Sequence, residues 1–298
     1  MDQDRLTFRK TRLAPTPSGY LHIGNVFSFA LTAALAKKTG AGILLRIDDL
    51  DRERAAGAYI QDIFDTLHFM GLQWDEGPKD VQDFDRHFSQ LHRMALYKEA
   101  LGQLENKGLV FACDCSRTKV LADSPDGSYK GTCLHRNIPL DAKEVSWRLD
   151  TSAEKEIVLK TFQKDAVRMQ LPPDMQYFVV RKKDGFPAYQ LSSLMDDLHF
   201  GVDLVVRGQD LLHSTIAQLY LADVLGKQTF LQTTFYHHPL LQTKEQKKLS
   251  KSAGDTSVNY LRKHGKTTED VYALIGAGLK ASAGIGGLEE FIRNIWDK

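Results

Sequence analysis

Thr7 to Leu13 alternates apolar and polar residues and then breaks at a Pro-Thr-Pro-Ser-Gly run, which predicts a strand ending in a tight loop. Ile23 to Lys38 is apolar with small residues and closes at Gly40, the pattern of a largely buried helix. Gly42 to Ile47 reads as a second strand. Strand, helix, strand in this order is a βαβ unit, so the chain is expected to build an α/β fold around a parallel sheet. Ligands of such sheets sit at the carboxyl ends of the strands. The loop from Ala14 to Gly19 therefore stands where chemistry is expected.

Helical periodicity returns at Gly57 to Met70 and at Phe88 to Lys107, separated by a polar, Pro-containing stretch over Asp75 to Asp83. From Phe111 to Val180 the pattern changes to short β-like runs, including Val145 to Leu149, Ile157 to Phe162 and Tyr177 to Val180. A further strand is expected over Leu204 to Arg207, a helix over Leu211 to Leu225, a strand near Thr233 to His237, and a helical tail from Thr256 with a glycine-rich break at Gly284 to Gly287. The expected organisation is a catalytic domain over 1–110 and 185–255, an inserted β-rich subdomain over 111–184, and a short helical tail over 256–298. At 298 residues the chain has room for one large domain with an insertion or for two modest ones.

Two constellations carry chemistry. Between the first strand and helix runs Ala14-Pro15-Thr16-Pro17-Ser18-Gly19-Tyr20-Leu21-His22-Ile23-Gly24-Asn25. This position points His22 and the free N–H groups of the helix at whatever occupies the strand ends, which suits a phosphate chain, and Gly24 lets a flat base approach the backbone. Lys247-Lys248-Leu249-Ser250-Lys251-Ser252 follows the last predicted strand. Paired lysines there can stabilise charge developing on a leaving pyrophosphate. Alone, the first motif also reads as a Pro-rich turn and the second as solvated surface.

In this order the two motifs resemble the paired signatures of class I aminoacyl-tRNA synthetases. Arg12-Leu-Ala-Pro-Thr-Pro-Ser-Gly, Leu45-Arg-Ile-Asp-Asp-Leu-Asp51, Gly71-Leu-Gln-Trp-Asp-Glu-Gly-Pro78 and Val206-Arg-Gly-Gln-Asp210 are similar to glutamyl-tRNA synthetases. The resemblance covers roughly the first 255 residues and implies a Rossmann-like class I fold and an ATP-dependent ligase. It implies that Arg12 and Arg207 hold the carboxylates of glutamate through bidentate guanidinium contacts. Ala14 and Thr16 would line the pocket, Asp48 would receive the α-amino group, Tyr189 would offer its hydroxyl, and His22, Gly24, Asn25, Lys248 and Lys251 would handle ATP with its Mg²⁺. Two positions depart from the family. Asn25 replaces the second histidine of the signature, and Asp48 stands where glutamyl enzymes usually carry glutamate, a feature shared with glutaminyl relatives. Arg207 favours glutamate, because a buried cation opposite an uncharged amide lacks its counter-charge.

The three cysteines, Cys113, Cys115 and Cys133, are an odd, clustered set that cannot close a disulfide framework and suits a tetrahedral Zn²⁺ site needing one more ligand. Ligand chemistry favours His135. The Cys-x-Cys, Tyr-x3-Cys spacing instead resembles the glutamyl-queuosine tRNA(Asp) synthetases, truncated glutamyl enzymes in which the tyrosine, here Tyr129, completes the set. Fewer than fifty residues follow the lysine signature, so no anticodon-binding domain is expected, as in that truncated family. The resemblance implies ATP, glutamate and tRNA(Asp) as partners, with the ordinary tRNA 3′ end as the alternative acceptor. A nucleotidyltransferase and a non-catalytic paralogue remain as rival classes.

The bulk numbers set outer limits. The first residues hold two acids and no apolar run, so no signal or transit peptide is expected, and Val26 to Ala36 falls short of a bilayer span. A cytoplasmic, monomeric protein with no membrane contact is the expectation. A net charge of +1 means that RNA binding must come from a local basic patch.

Overall fold

The computed structural model describes residues 6–53, 55–162, 164–241, 257–278 and 286–296. They divide into two compact units, one of residues 1–92, 204–209 and 236–298, the other of residues 93–203 and 210–235.

The first unit contains the βαβ opening. Strand β1 (Lys10–Leu13) pairs in parallel with β2 (Gly42–Leu45), with Arg12 opposite Leu44. Helix α1 (Ile23–Thr39) crosses between them, is buried along most of its length, and ends at Gly40 in the left-handed conformation (φ 78°). Such a helix carries apolar residues nearly all round because little of its surface faces solvent. The stretch read only as polar and Pro-containing turns out to extend the sheet. Ile43 O accepts from Asp75 N (2.8 Å), Leu45 N donates to Glu76 O (2.8 Å), and Asp75 Oδ2 accepts from Ile43 N (2.7 Å). Gly77 ends this edge at φ 115°, where a Cβ would sit 2.3 Å from Leu45 O, so no other residue fits. Helix α2 (Gly57–Phe69) and strand β8 (Leu204–Gly208) complete the frame, the latter bound to β1 by Arg12 Nη1 donating to Val206 O (3.1 Å). The tail is helical over Val258–Lys263, Thr268–Gly278 and Leu288–Trp296. Tyr272 and Phe291 are buried, and Tyr272 Oη donates to Met70 O (3.1 Å).

The second unit is mixed. Strands β3 (Val110–Cys113), β4 (Ser146–Leu149) and β7 (Val179–Arg181) form an antiparallel sheet. β5 (Ile157–Thr161) pairs antiparallel with β6 (Val167–Met169) and in parallel with the start of β9 (Thr234–His238), Lys160 opposite Thr234. The expected helix over Phe88–Lys107 begins later, at Met94, after a short 3-10 turn. Asp196, wholly buried on helix Tyr189–His199, is the reason for this start. It accepts from Arg93 Nε (2.8 Å), Arg93 Nη2 (3.1 Å) and Tyr97 Oη (2.6 Å), which anchors the first turn. Among the described residues, two helices of more than four residues escape the sequence pattern. Arg117–Asp123 is charged and buries none of its residues, but Ser116 caps it by accepting from Lys119 N (3.1 Å). Tyr189–His199 mixes buried serines and aspartates into its core face, which hides the apolar period.

Among the described residues, no helix is long and apolar enough to cross a membrane.

Candidate active site and metal centre

The loop after β1 runs beside the chain leaving β2, with Arg46 N donating to Leu13 O and Asp48 N to Pro15 O, both at 2.9 Å. This parallel course holds Ala14 and Thr16 next to Asp48. Thr16 is exposed and its carbonyl accepts from Ser18 N (2.8 Å) to turn the chain. His22 then caps α1: its Nδ1 accepts from Gly24 N (3.1 Å), while Asn25 Oδ1 accepts from His22 N (3.0 Å). The pair forms a capping box with histidine and asparagine in place of the usual Ser or Thr and Glu. Asn25, the departure from the family signature, thus fixes the residue that the signature is named for. A Cβ on Gly24 would lie 2.9 Å from His22 Cε1, so the glycine makes room for the imidazole ring.

Three charged candidate side chains on strands and strand ends of this unit are buried. Arg12 on β1 and Arg207 on β8 are about 95% buried, at 5% and 4% exposure. Asp48, 7% exposed, receives Arg46 in a bidentate pair, Nε to Oδ1 at 2.8 Å and Nη2 to Oδ2 at 3.1 Å. A carboxylate offers about four acceptor positions, so this pair orients Asp48 and leaves its chemistry as an acceptor intact. His237 on β9 is held neutral. Burial, with the charges of Arg207, His238 and Arg12, lowers its pKa to about 3. Both guanidinium charges therefore act on the same ring.

Arg46 and His237 did not emerge from the sequence as site residues. Arg46 has a readable signal, since it precedes Asp48 by two residues on an extended segment and so shares its face. His237 has none, one histidine of a pair near a strand end. Asp62 was also missed. Buried on α2, it accepts from Leu21 N (3.0 Å), Asn259 Nδ2 (3.1 Å) and Arg262 Nη2 (3.1 Å), which fastens the chain just before His22. Tyr189 opens its helix in the second unit and is 40% exposed. Lys248 and Lys251 lie outside the described residues.

The second unit brings the cysteines together. Cys113 ends β3, Cys115 follows the strand, and Cys133 lies beyond the short helix. All three are buried, with sulfur atoms within 4.8 Å of one another. Tyr129 Oη is 3.5 Å from Cys113 Sγ and accepts from Cys133 N (2.7 Å), and Cys115 Sγ is 3.6 Å from Cys133 Sγ. A tetrahedral Zn²⁺ with bonds of about 2.3 Å to sulfur and 2.0 Å to oxygen has ligand edges of about 3.8 and 3.5 Å. The spacing thus fits Cys113, Cys115, Tyr129 and Cys133 as a donor set. His135 is exposed and stands outside the cluster. Asp114 Oδ1 is 3.4 Å from Cys133 Sγ, but Arg136 Nη1 engages it at 2.7 Å. Burial works against ionising Cys113, yet the Tyr129 hydroxyl and Arg148 guanidinium outweigh it and bring the thiol to about 7. Burial and the neighbouring thiols push Cys115 up to about 12.

Residues 9–294 match the family of catalytic domains described as tRNA synthetases class I (E and Q). Glutamate–tRNA ligase 2 of Syntrophus aciditrophicus is 31% identical over 299 residues, which cover 95% of this chain and 60% of the ligase. The glutamyl-Q tRNA(Asp) synthetase of Symbiobacterium thermophilum is 35% identical over 275 residues, covering 87% of this chain and 83% of that protein. The chain thus spans less than two thirds of that ligase and most of the glutamyl-Q synthetase. Among solved structures, the glutamate–tRNA synthetase of Elizabethkingia anophelis superposes with a TM-score of 0.72 over 96% of this chain and 65% of its own, at 19% identity, a likeness of fold. With residues 9–294 matched by that family and an α/β fold that opens on a parallel βαβ unit, the chain belongs to the class I tRNA synthetase family of E and Q catalytic domains.

Proposed function

We propose that this chain activates glutamate with ATP and transfers the glutamyl group to the queuosine base of tRNA(Asp). The observation that carries the first half is the burial of two guanidiniums, Arg12 and Arg207, on strands of one unit, with the charge of both reaching His237. Buried guanidinium charge favours a carboxylate ligand over an amide, which selects glutamate over glutamine.

In the first step an oxygen of the α-carboxylate attacks the α-phosphorus of ATP, and the bond to the bridging oxygen breaks to release pyrophosphate. Arg12 and Arg207 grip the carboxylates of glutamate, and Asp48, aimed by Arg46, takes the α-ammonium group. Ala14 and Thr16 border the pocket. His22, Gly24 and Asn25 present the helix N-terminus to the phosphates, and Lys248 and Lys251 neutralise the charge that grows on pyrophosphate. Mg²⁺ travels with ATP and supplies charge neutralisation there. In the second step a hydroxyl of the queuosine ring attacks the acyl carbon and AMP leaves. Zn²⁺ bound by Cys113, Cys115, Tyr129 and Cys133 is structural in this reading and folds the segment around it.

The glutamyl-Q acceptor is supported by the donor spacing of the metal centre and by the 35% identity to the glutamyl-Q relative. The ligase relatives support the alternative, charging of a tRNA 3′ end. A cytoplasmic monomer is the setting proposed for it. Exchange of labelled pyrophosphate into ATP tests activation directly. It is expected with glutamate and absent with glutamine; exchange with glutamine alone, or with neither, refutes the reading.

A further inference from the structure

The strand register places Arg148 beside the metal centre. β3 and β4 pair antiparallel with Phe111 opposite Arg148 and Cys113 opposite Ser146, so Arg148 and Cys113, a diagonal pair, share one face of the sheet. The guanidinium carbon lies 3.7 Å from the centroid of the Tyr129 ring, whose hydroxyl is the group nearest Cys113. Arg148 Nη1 donates to Tyr177 O (2.9 Å). Tyr177 is one of few non-glycine residues with positive φ (50°), and its ring packs edge-on against both Phe111 and Tyr129. Arg148 Nε is buried and has no hydrogen-bond partner among the described residues. A buried donor left in that state is uncommon and calls for a reason.

Charge supplies one. Three thiolates and a tyrosinate around a Zn²⁺ carry a net charge of about −2. Such a set cannot be buried cheaply without a cation close by. Two arginines approach it. Arg136 Nη1 reaches Cys133 Sγ at 3.3 Å, but its side chain is 46% exposed and it is already paired with Asp114. An exposed, paired charge contributes little. Arg148 is flat on the ligand tyrosine, and no acidic side chain among the described residues forms an ion pair with it.

We propose that Arg148 is the charge partner of this metal centre: its guanidinium, stacked on Tyr129, compensates the anionic donor set and sets its affinity for Zn²⁺. Arg148 touches no metal itself and acts through Tyr129 and Cys113. The proposal rests on the reading of Cys113, Cys115, Tyr129 and Cys133 as a zinc site.

The test measures zinc binding, not activity. Wild-type protein and the variants Arg148→Gln, Arg148→Met, Arg148→Lys and Arg136→Gln are stripped of metal. Their affinity for Zn²⁺ is read by competition with a chromophoric chelator, and the melting temperature of each is taken with and without zinc. Wild type should bind about one equivalent. Arg148→Gln and Arg148→Met should bind about 10-fold or more weakly, in the range by which partners just outside a ligand set tune metals. Arg148→Lys, which keeps the charge, and Arg136→Gln should stay within about threefold. The melting temperature without zinc should change less than the zinc-induced rise, a difference that a purely structural role through the Tyr177 carbonyl does not produce. Zinc affinity within about twofold of wild type in the Gln and Met variants overturns the proposal and leaves the metal site standing, and so does a Lys variant as weak as Met. Wild type that binds no zinc overturns the metal site, and with it the proposal.

Discussion

Replacing Arg46 with methionine keeps most of the side-chain volume and removes the bidentate partner of Asp48. Both side chains are nearly out of solvent, at 2% and 8% exposure, and the pair is joined at 2.8 and 3.1 Å. Removing one member of a buried ion pair costs about 3–5 kcal/mol, a large part of the ~5–15 kcal/mol by which a protein is usually stable. Chemical denaturation followed by circular dichroism should register that loss. The second consequence is catalytic. Asp48 no longer aims at the α-ammonium group, so glutamate-dependent pyrophosphate exchange should show a KM for glutamate raised about 10-fold or more, with the KM for ATP changed far less. The double variant Arg46→Met with Asp48→Leu should recover most of the stability, since an apolar pair of similar volume replaces a buried ion pair at little cost, but none of the glutamate affinity. A loss of under ~1 kcal/mol in the single variant, with glutamate KM unchanged, refutes the view that Arg46 positions Asp48.

Two further outcomes follow from the site. His237 has its pKa lowered to about 3 in the folded chain and titrates at its usual 6.5 when unfolded, so the unfolded state binds the extra proton first as pH falls. The stability associated with the neutral ring is complete above about pH 6.5 and is lost progressively down to about pH 3; His237→Gln should flatten that slope in denaturant melts at pH 7 and 5, and an unchanged slope would remove His237 from the account. Lys251→Ala should cut pyrophosphate exchange by on the order of 10²-fold while glutamate affinity stays put, because the lysine acts on charge that develops during the reaction. Near wild-type exchange would assign that lysine to ordinary surface.

The frame of the molecule was legible because its signals are local. Alternation before Pro15, the apolar run of α1 and its closing Gly40 each follow from neighbours in the chain, and they became β1, α1 and β2 with ends shifted by at most three residues. Helix Tyr189–His199 was not legible, since Ser192, Ser193, Asp196 and Asp197 are buried there and break the apolar period. Asp196 is tolerated only because Arg93 and Tyr97, about a hundred residues away, satisfy it. The same limit governs the site. Residue types and order in the chain pointed to Arg12, His22, Asp48 and Arg207, but the partners that orient them, Arg46 on Asp48, Asn25 on His22 and Asp62 on Leu21, are matters of distance. The Trp74-Asp-Glu-Gly-Pro segment shows the converse. It served as a family marker, and its visible task is to pair with β2 and turn at Gly77.

The acceptor is the central claim, and transfer of radiolabelled glutamate measures it. With ATP and Mg²⁺ present, the substrates are queuosine-containing tRNA(Asp), the same tRNA without queuosine, and tRNA(Glu), each also prepared without its terminal adenosine. Label should appear only on queuosine-containing tRNA(Asp) and should persist when the terminal adenosine is missing. Charging of tRNA(Glu) that disappears with the terminal adenosine contradicts the account and makes this chain a 3′-end glutamyl-tRNA synthetase.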